Sequence, residues 1–204
     1  VTGFDVSWLK QNPSPYFQTQ ALLKKLNEWN NDGKSPFISF GYNSHLFDWV
    51  FLSKTFFKYL KPPYYLNTEG RKLGDILPVI RAAKMVDETV IKTITTAKGN
   101  PSFKLSDLMN HEGSHGAIPD TEAVMKLAKI INKNNKTKPV WDSSLKTLSR
   151  QECDVLLQKE KIFTNVEYFY GKIHFYVSKY LFNHFVYKWN ICCLLYTSPS
   201  PRDP

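Results

Sequence analysis

Two aspartates and a histidine stand where their types and spacing could do chemistry. His115 and Asp120 bracket the hexapeptide His-Gly-Ala-Ile-Pro-Asp. The histidine falls in a glycine-flanked loop, and the aspartate falls in the first turn of an amphipathic helix. A helix can hold a carboxylate rigidly against a metal, while a loop lets an imidazole swing to an attacking water. Asp48 comes five residues after Gly41-Tyr42-Asn43, at the head of another helix. A carboxylate at a helix start is also favoured by the dipole alone, by under about 1 kcal/mol. Asp48 by itself therefore reads first as a helix-start charge, and Asp120 also admits that reading. A third stretch, Pro101-Ser102-Phe103-Lys104-Leu105, precedes a short helix and would cap it, with Phe103 and Leu105 packing inward.

The elements that must position these residues follow from periodicity. Phe17, Ala21, Leu22, Leu26 and Trp29 recur at helical spacing over Pro15–Trp29, and Gly33 stops that helix. The apolar run Phe37–Phe40, closed by Gly41, predicts a buried strand. Further helices are expected over Leu46–Leu60, ended by Pro62 and Pro63, over Asp75–Met85, over Leu105–Met109, and from Pro119 to Ile131. Asp75 reads as a helix-start charge. Asn132–Lys138 is polar and basic and reads as a linker. Beyond it, Ser149–Lys159 predicts a short helix, and Val166–Tyr170 and Ile173–Val177 predict two strands joined at Gly171-Lys172. The organisation thus changes near residue 135, from helix-rich α/β to a smaller, β-containing part.

Composition narrows the partners. Lys plus Arg number 27 against 18 Asp plus Glu. That excess favours polyanions, because each neutralised phosphate releases a counterion, although a solvated lysine-rich surface gives the same count. No apolar run is long enough for a membrane span and no signal-peptide pattern is visible. Cys153, Cys192 and Cys193 have no zinc or disulfide spacing, which points to the reducing cytoplasm.

Taken in order, Gly-Tyr-Asn (41–43), Phe47-Asp48, Gly74-Asp-Ile-Leu-Pro-Val-Ile-Arg-Ala82, Pro101-Ser-Phe-Lys-Leu105 and His115-x-x-x-x-Asp120 resemble the bacterial exonuclease I family of DEDDh exonucleases. Val1-Thr2-Gly3 resembles that family's Thr-Gly element. The likeness runs over roughly residues 1–180, and its strength lies in the order of the motifs, since each alone is weak.

The resemblance implies a ribonuclease H-like α/β exonuclease core, residues 1–134, followed by the start of a β-containing extension, residues 139–190. It implies 3′→5′ hydrolysis of single-stranded DNA with two Mg²⁺ ions, in DNA repair or recombination. Asp48 and Asp120 would be metal carboxylates and His115 the general base. Thr2, Asn43, Ser102 and Phe103 would contact substrate. Two cations activate the water and stabilise the leaving oxygen, and oxygen ligands suit Mg²⁺.

The family's first motif, Asp-x-Glu, should precede Val1, and Asp5 does not replace it. The sequence is therefore expected to be an internal fragment, inactive and unstable by itself. Tyr168, Phe169, Tyr170, Phe175, Tyr176 and Tyr180 could stack bases, but aromatics there are commonly core. Residues 192–204 match nothing before them and resemble translated sequencing adapter, so they are set aside. Two other readings stay open. One is a related DEDDh exoribonuclease or proofreading exonuclease, against which the continuation past residue 139 argues. The other is a catalytically incompetent nucleic-acid-binding fragment.

Overall fold

Pro15 gives a helix its first turn without leaving a backbone N–H unbonded, and the helix it opens, α2 (Pro15–Asn30), is the longest in its half of the chain. It ends where Asn31 turns left-handed (φ 45°). The computed structural model describes residues 6–31, 33–109, 116–146, 150–160, 162–169 and 172–195. Contacts divide the chain into two units, residues 1–77 with 109–129 and residues 78–108 with 130–204.

The first unit contains α1 (Val6–Gln11), α2, β1 (Ile38–Gly41), α3 (Asp48–Lys58), a 3-10 turn at Tyr65–Asn67 and β2 (Lys72–Asp75). It also holds the start of α4 (Ile76–Val86) and most of α6 (Ala117–Lys133). β1 and β2 pair in parallel, from Ile38 opposite Lys72 to Gly41 opposite Asp75. The sequence predicts β1 but not β2, because Lys-Leu-Gly-Asp has neither alternation nor β-branched residues. What makes it a strand is close approach. A Cβ on Gly74 would lie 2.6 Å from the Phe40 ring, so only glycine lets the two strands meet there.

Leu23 and Leu26 of α2, Phe56 of α3, Tyr65 and Leu66 form the core, with Phe37, Trp49, Leu52 and Leu73 packed around it. Arg71 is buried at its edge. Its Nε donates to the Tyr65 carbonyl (2.6 Å), Nη2 to Thr68 Oγ1 (3.0 Å) and Nη1 to Glu69 (2.9 Å). The guanidinium also lies over the Tyr65 ring, 4.2 Å from its centre. A buried charge is tolerable because each of the three nitrogens has a partner, one of them a carboxylate.

The second unit holds the rest of α4, α5 (Leu105–Met109) as far as Leu108, the end of α6, α7 (Lys138–Leu145) and α8 (Arg150–Glu160). It also holds β3 (Ile162–Phe169), β4 (Lys172–Asn183) and β5 (Asn190–Leu194). The three strands form an antiparallel sheet in chain order. Among the described residues, Val79, Ile80, Ala83, Ile91, Phe103, Leu108 and Ile131 are the buried apolar ones of this second unit.

The expected linker at Asn132–Lys138 is overturned. Helix α6 continues through Lys133, α7 begins at Lys138, and the turn between them is tightly bonded. Asn134 Oδ1 accepts the Lys136 N–H (2.9 Å), and the buried Thr137 hydroxyl donates to the Ile131 carbonyl (2.8 Å). Polar residues there serve as caps, which composition alone cannot separate from a linker. The strand expected over Ile173–Val177 runs on to Asn183, because β4 is paired on both sides. Lys172 belongs to β4, opposite Phe169, and Tyr170 and Gly171 lie outside the described residues. Cys192, Cys193 and Leu194 pair with Tyr180, Lys179 and Ser178, whereas residues 196–204 lie outside the description.

Candidate active site

Asp48 is the first residue of α3, and the loop before it is braced onto β2 from two directions. The buried Ser44 hydroxyl donates to the Gly74 carbonyl (3.2 Å). The Asp75 carboxylate accepts the N–H groups of Asn43 (2.9 Å), His45 (3.4 Å) and Leu77 (3.0 Å). The Ser44 carbonyl accepts the N–H of Trp49 (3.1 Å), which joins the brace to the first turn of α3. A Cβ on Gly41 would lie 2.5 Å from Ser44 Cβ, so glycine is what allows the turn to fold back. Asn43 adopts the left-handed conformation (φ 55°), as Asn tolerates better than most residues.

The expected helix-start role of Asp75 is present in its bond to Leu77. The larger role, holding the loop before Asp48, lies beyond sequence reading, since it needs β1 and β2 side by side. Phe47 and Phe51 also stack, with centroids 6.2 Å apart and 12° between planes, and both are exposed. Their i, i+4 spacing was the available signal. They put an apolar face beside Asp48.

Asp120 lies in the first turn of α6. Its N–H donates to the Gly116 carbonyl (3.1 Å), and the next residue, Thr121, donates to the Ala117 carbonyl (2.7 Å). Helix α6 starts at Ala117, two residues before the expected start at Pro119. Ala123 and Leu127 bury its inner face and leave Asp120 exposed. Asp48 and Asp120 fall in the same unit, and neither carboxylate has a hydrogen-bond or ion-pair partner among the described residues. His115 and Thr2 lie outside the described residues.

Ser102 and Phe103 are in the other unit. Both are buried, the Ser102 hydroxyl bonds the Asp107 carboxylate, and Arg81 lies over the Phe103 ring at 5.5 Å. Ser102 thus fastens the first turn of α5 through Asp107, and Phe103 packs.

Exposed carboxylates at helix starts are hard oxygen donors and suit a cation such as Mg²⁺. Among the described residues there is no group of three or more His, Cys, Asp or Glu that could hold a metal. The donor chemistry of the exposed Asp48 and Asp120 carboxylates fits such an ion.

No protein-family model matches the chain. Exodeoxyribonuclease I of Buchnera aphidicola subsp. Schizaphis graminum is 32% identical over 136 residues, 63% of this chain and 27% of that protein. The Haemophilus influenzae exodeoxyribonuclease I is 31% identical over 97 residues, 45% and 20% of the two chains. The chain therefore spans about a quarter of the length of the curated relatives it matches.

Among solved structures, exonuclease I from Methylocaldum szegediense superposes with a TM-score of 0.70 over 89% of this chain and 39% of that one, at 17% identity. E. coli exonuclease I in complex with a 5cy-dT13 oligonucleotide gives 0.64 over 82% and 36%, at 20% identity. No helix among the described residues is long and apolar enough to cross a membrane. In sequence the chain is thus similar to bacterial exodeoxyribonuclease I, and in its mixed α/β fold to solved exonuclease I structures.

Proposed function

We propose that the chain is part of a 3′→5′ exodeoxyribonuclease that removes nucleotides from single-stranded DNA by Mg²⁺-dependent hydrolysis, in DNA repair or recombination in the cytoplasm. The observation that carries this reading is the 32% identity to exodeoxyribonuclease I, joined to exposed aspartates at the first turns of α3 and α6. Solved exonuclease I neighbours bound to dT13 and dA16 oligonucleotides support the choice of single-stranded DNA.

In this reading Asp48 and Asp120 bind Mg²⁺. Ions held there would supply charge neutralisation at the phosphate and a more acidic attacking water. His115 accepts that water's proton. Asp75 is a positioning residue, since it holds the backbone of the loop that leads to Asp48. Asn43, exposed on that loop, and Thr2 contact the terminal nucleotide. Ser102 and Phe103 are buried in the second unit, where Ser102 bonds Asp107 and Phe103 packs under Arg81. Residues 1–134 form the exonuclease part and residues 139–190 the extension.

The test is release of mononucleotides from 3′-labelled single-stranded DNA by the protein that carries this sequence. Asp120→Asn abolishes Mg²⁺-dependent release while binding of the strand persists, and near-normal turnover of that variant overturns the reading. His115→Ala slows release by about 10² or more. Degradation of RNA as fast as DNA would instead support the exoribonuclease reading.

A further inference from the structure

The turn between β4 and β5 is built to expose aromatic rings. Residues 184–189 read His-Phe-Val-Tyr-Lys-Trp. Four of those rings form one column. Phe185 lies against His184 (5.2 Å between centroids, 12°), His184 against Tyr187 (5.0 Å, 35°), and Tyr187 against Trp189 (4.7 Å, 21°). The ends of the column are open to solvent: Phe185 is 79% exposed and Trp189 61% exposed.

Isolated surface aromatics are ordinary, but a contiguous stacked set marks a place where something binds. The column is also preorganised. The His184 N–H donates to the Trp189 carbonyl (2.7 Å), and the Lys188 N–H to the His184 carbonyl (2.8 Å). His184 Nδ1 accepts the N–H groups of Val186 and Tyr187, each at 3.2 Å. Lys188 sits in the left-handed region (φ 55°), where a side chain is held only by surrounding structure. Asn190, the first residue of β5, ties the turn to α8 through Asp154 (2.9 Å). Rings fixed in this way lose little freedom when a ligand stacks on them.

Charge indicates the ligand. From Lys172 to Leu195 the sequence contains the lysines 172, 179 and 188 and no carboxylate. A flat aromatic surface in a lysine-bearing stretch, whose neighbouring carboxylate Asp154 is bonded to Asn190, suits a chain of planar, π-faced groups linked by phosphates. A duplex hides those faces, and a single strand offers them.

We propose that the column His184–Phe185–Tyr187–Trp189 is a stacking platform for the bases of single-stranded nucleic acid, apart from the residues assigned to hydrolysis. The choice of ligand rests on the exonuclease reading, but the residues do not overlap with it. The strand's bases stack on the Trp189 and Phe185 ends of the column, and lysines 179 and 188 lie along its backbone.

The test is anisotropy of labelled dT20 with the full chain in EDTA, so that cleavage plays no part. The double variant Tyr187→Ala/Trp189→Ala binds about tenfold more weakly, equivalent to about 1.4 kcal/mol, within the range for stacking one base. Its salt dependence is unchanged, because no phosphate contact is lost. Trp189→Phe keeps the affinity within about twofold, because Phe still presents an aromatic face, and it removes the quenching of tryptophan emission that dT20 causes. Three results each overturn the proposal: equal dT20 affinity for the double variant and the unchanged chain, an equal loss for the corresponding duplex, or no binding of dT20 by the unchanged chain. Failure of the nuclease reading shows differently, as binding with this pattern but no Mg²⁺-dependent release.

Discussion

The loop before Asp48 and the turn at residues 184–189 are held by the same device with opposite reach. In each, one side-chain acceptor gathers backbone N–H groups that a loop would otherwise leave to water. For the first loop the acceptor is Asp75, about thirty residues away on another strand. For the second it is His184, two and three residues from its donors. The first brace exists only when β1 and β2 pair, and it presents a carboxylate. The second depends on local sequence, and it presents rings. In the proposed reading, a carboxylate that is to meet a metal needs placement by the whole fold, whereas a surface on which bases stack tolerates some motion.

This contrast predicts unequal damage. Asp75→Ala removes an acceptor shared by three N–H groups. Hydrogen bonds to charged groups contribute about 1.5–3 kcal/mol each and are not additive, so a loss of about 3 kcal/mol is expected in denaturant unfolding. Nucleotide release falls with it. A fully stable Asp75→Ala variant would show that the brace is ornamental. Gly74→Ala attacks the same brace from the strand side. Its methyl group meets the Phe40 ring, and overpacking of this kind costs about 1–3 kcal/mol.

His184→Ala acts only on the turn. It lowers stability by under about 1 kcal/mol, leaves the Asp48 loop intact, and loosens the ring column, seen as faster hydrogen exchange at Val186 and Tyr187. Global destabilisation as large as that of Asp75→Ala would erase the distinction between local and distant bracing.

The smallest effect is one of pH. Hydrogen bonds from Thr89 and then Asn134 hold the Asp87 carboxyl below its usual 3.8. The unfolded chain therefore binds the proton first as pH falls. The contribution of Asp87 is present above about pH 3.8 and is lost as pH drops through the lower folded value. Stability below pH 4 should fall more gently in Asp87→Asn than in the unchanged chain.

Much of the fold was legible because its signals are local. Pro15, the apolar spacing of α2 and Pro62-Pro63 after α3 each fix an element by its own residues. β2 and α7 were not legible. β2 is a strand because Phe40 lies against Gly74, and α7 is a helix whose preceding turn is held by Asn134 and Thr137. The first-turn placement of Asp48 and Asp120 could be read from sequence. The bond network that holds the loop before Asp48 could not, since it joins residues that only folding makes neighbours.

The pairing of Gly41 with Asp75 has one further consequence. Parallel strands that stop level with each other send both outgoing chain segments from the same rim, the carboxyl end of the strands, where open α/β sheets characteristically receive ligands. The pair thus works as a caliper. One residue inserted into Lys72–Asp75 would advance the strand end by about 3.3 Å and turn the carboxylate of Asp75 to the opposite face. Strand length here is consequently as constrained as residue identity.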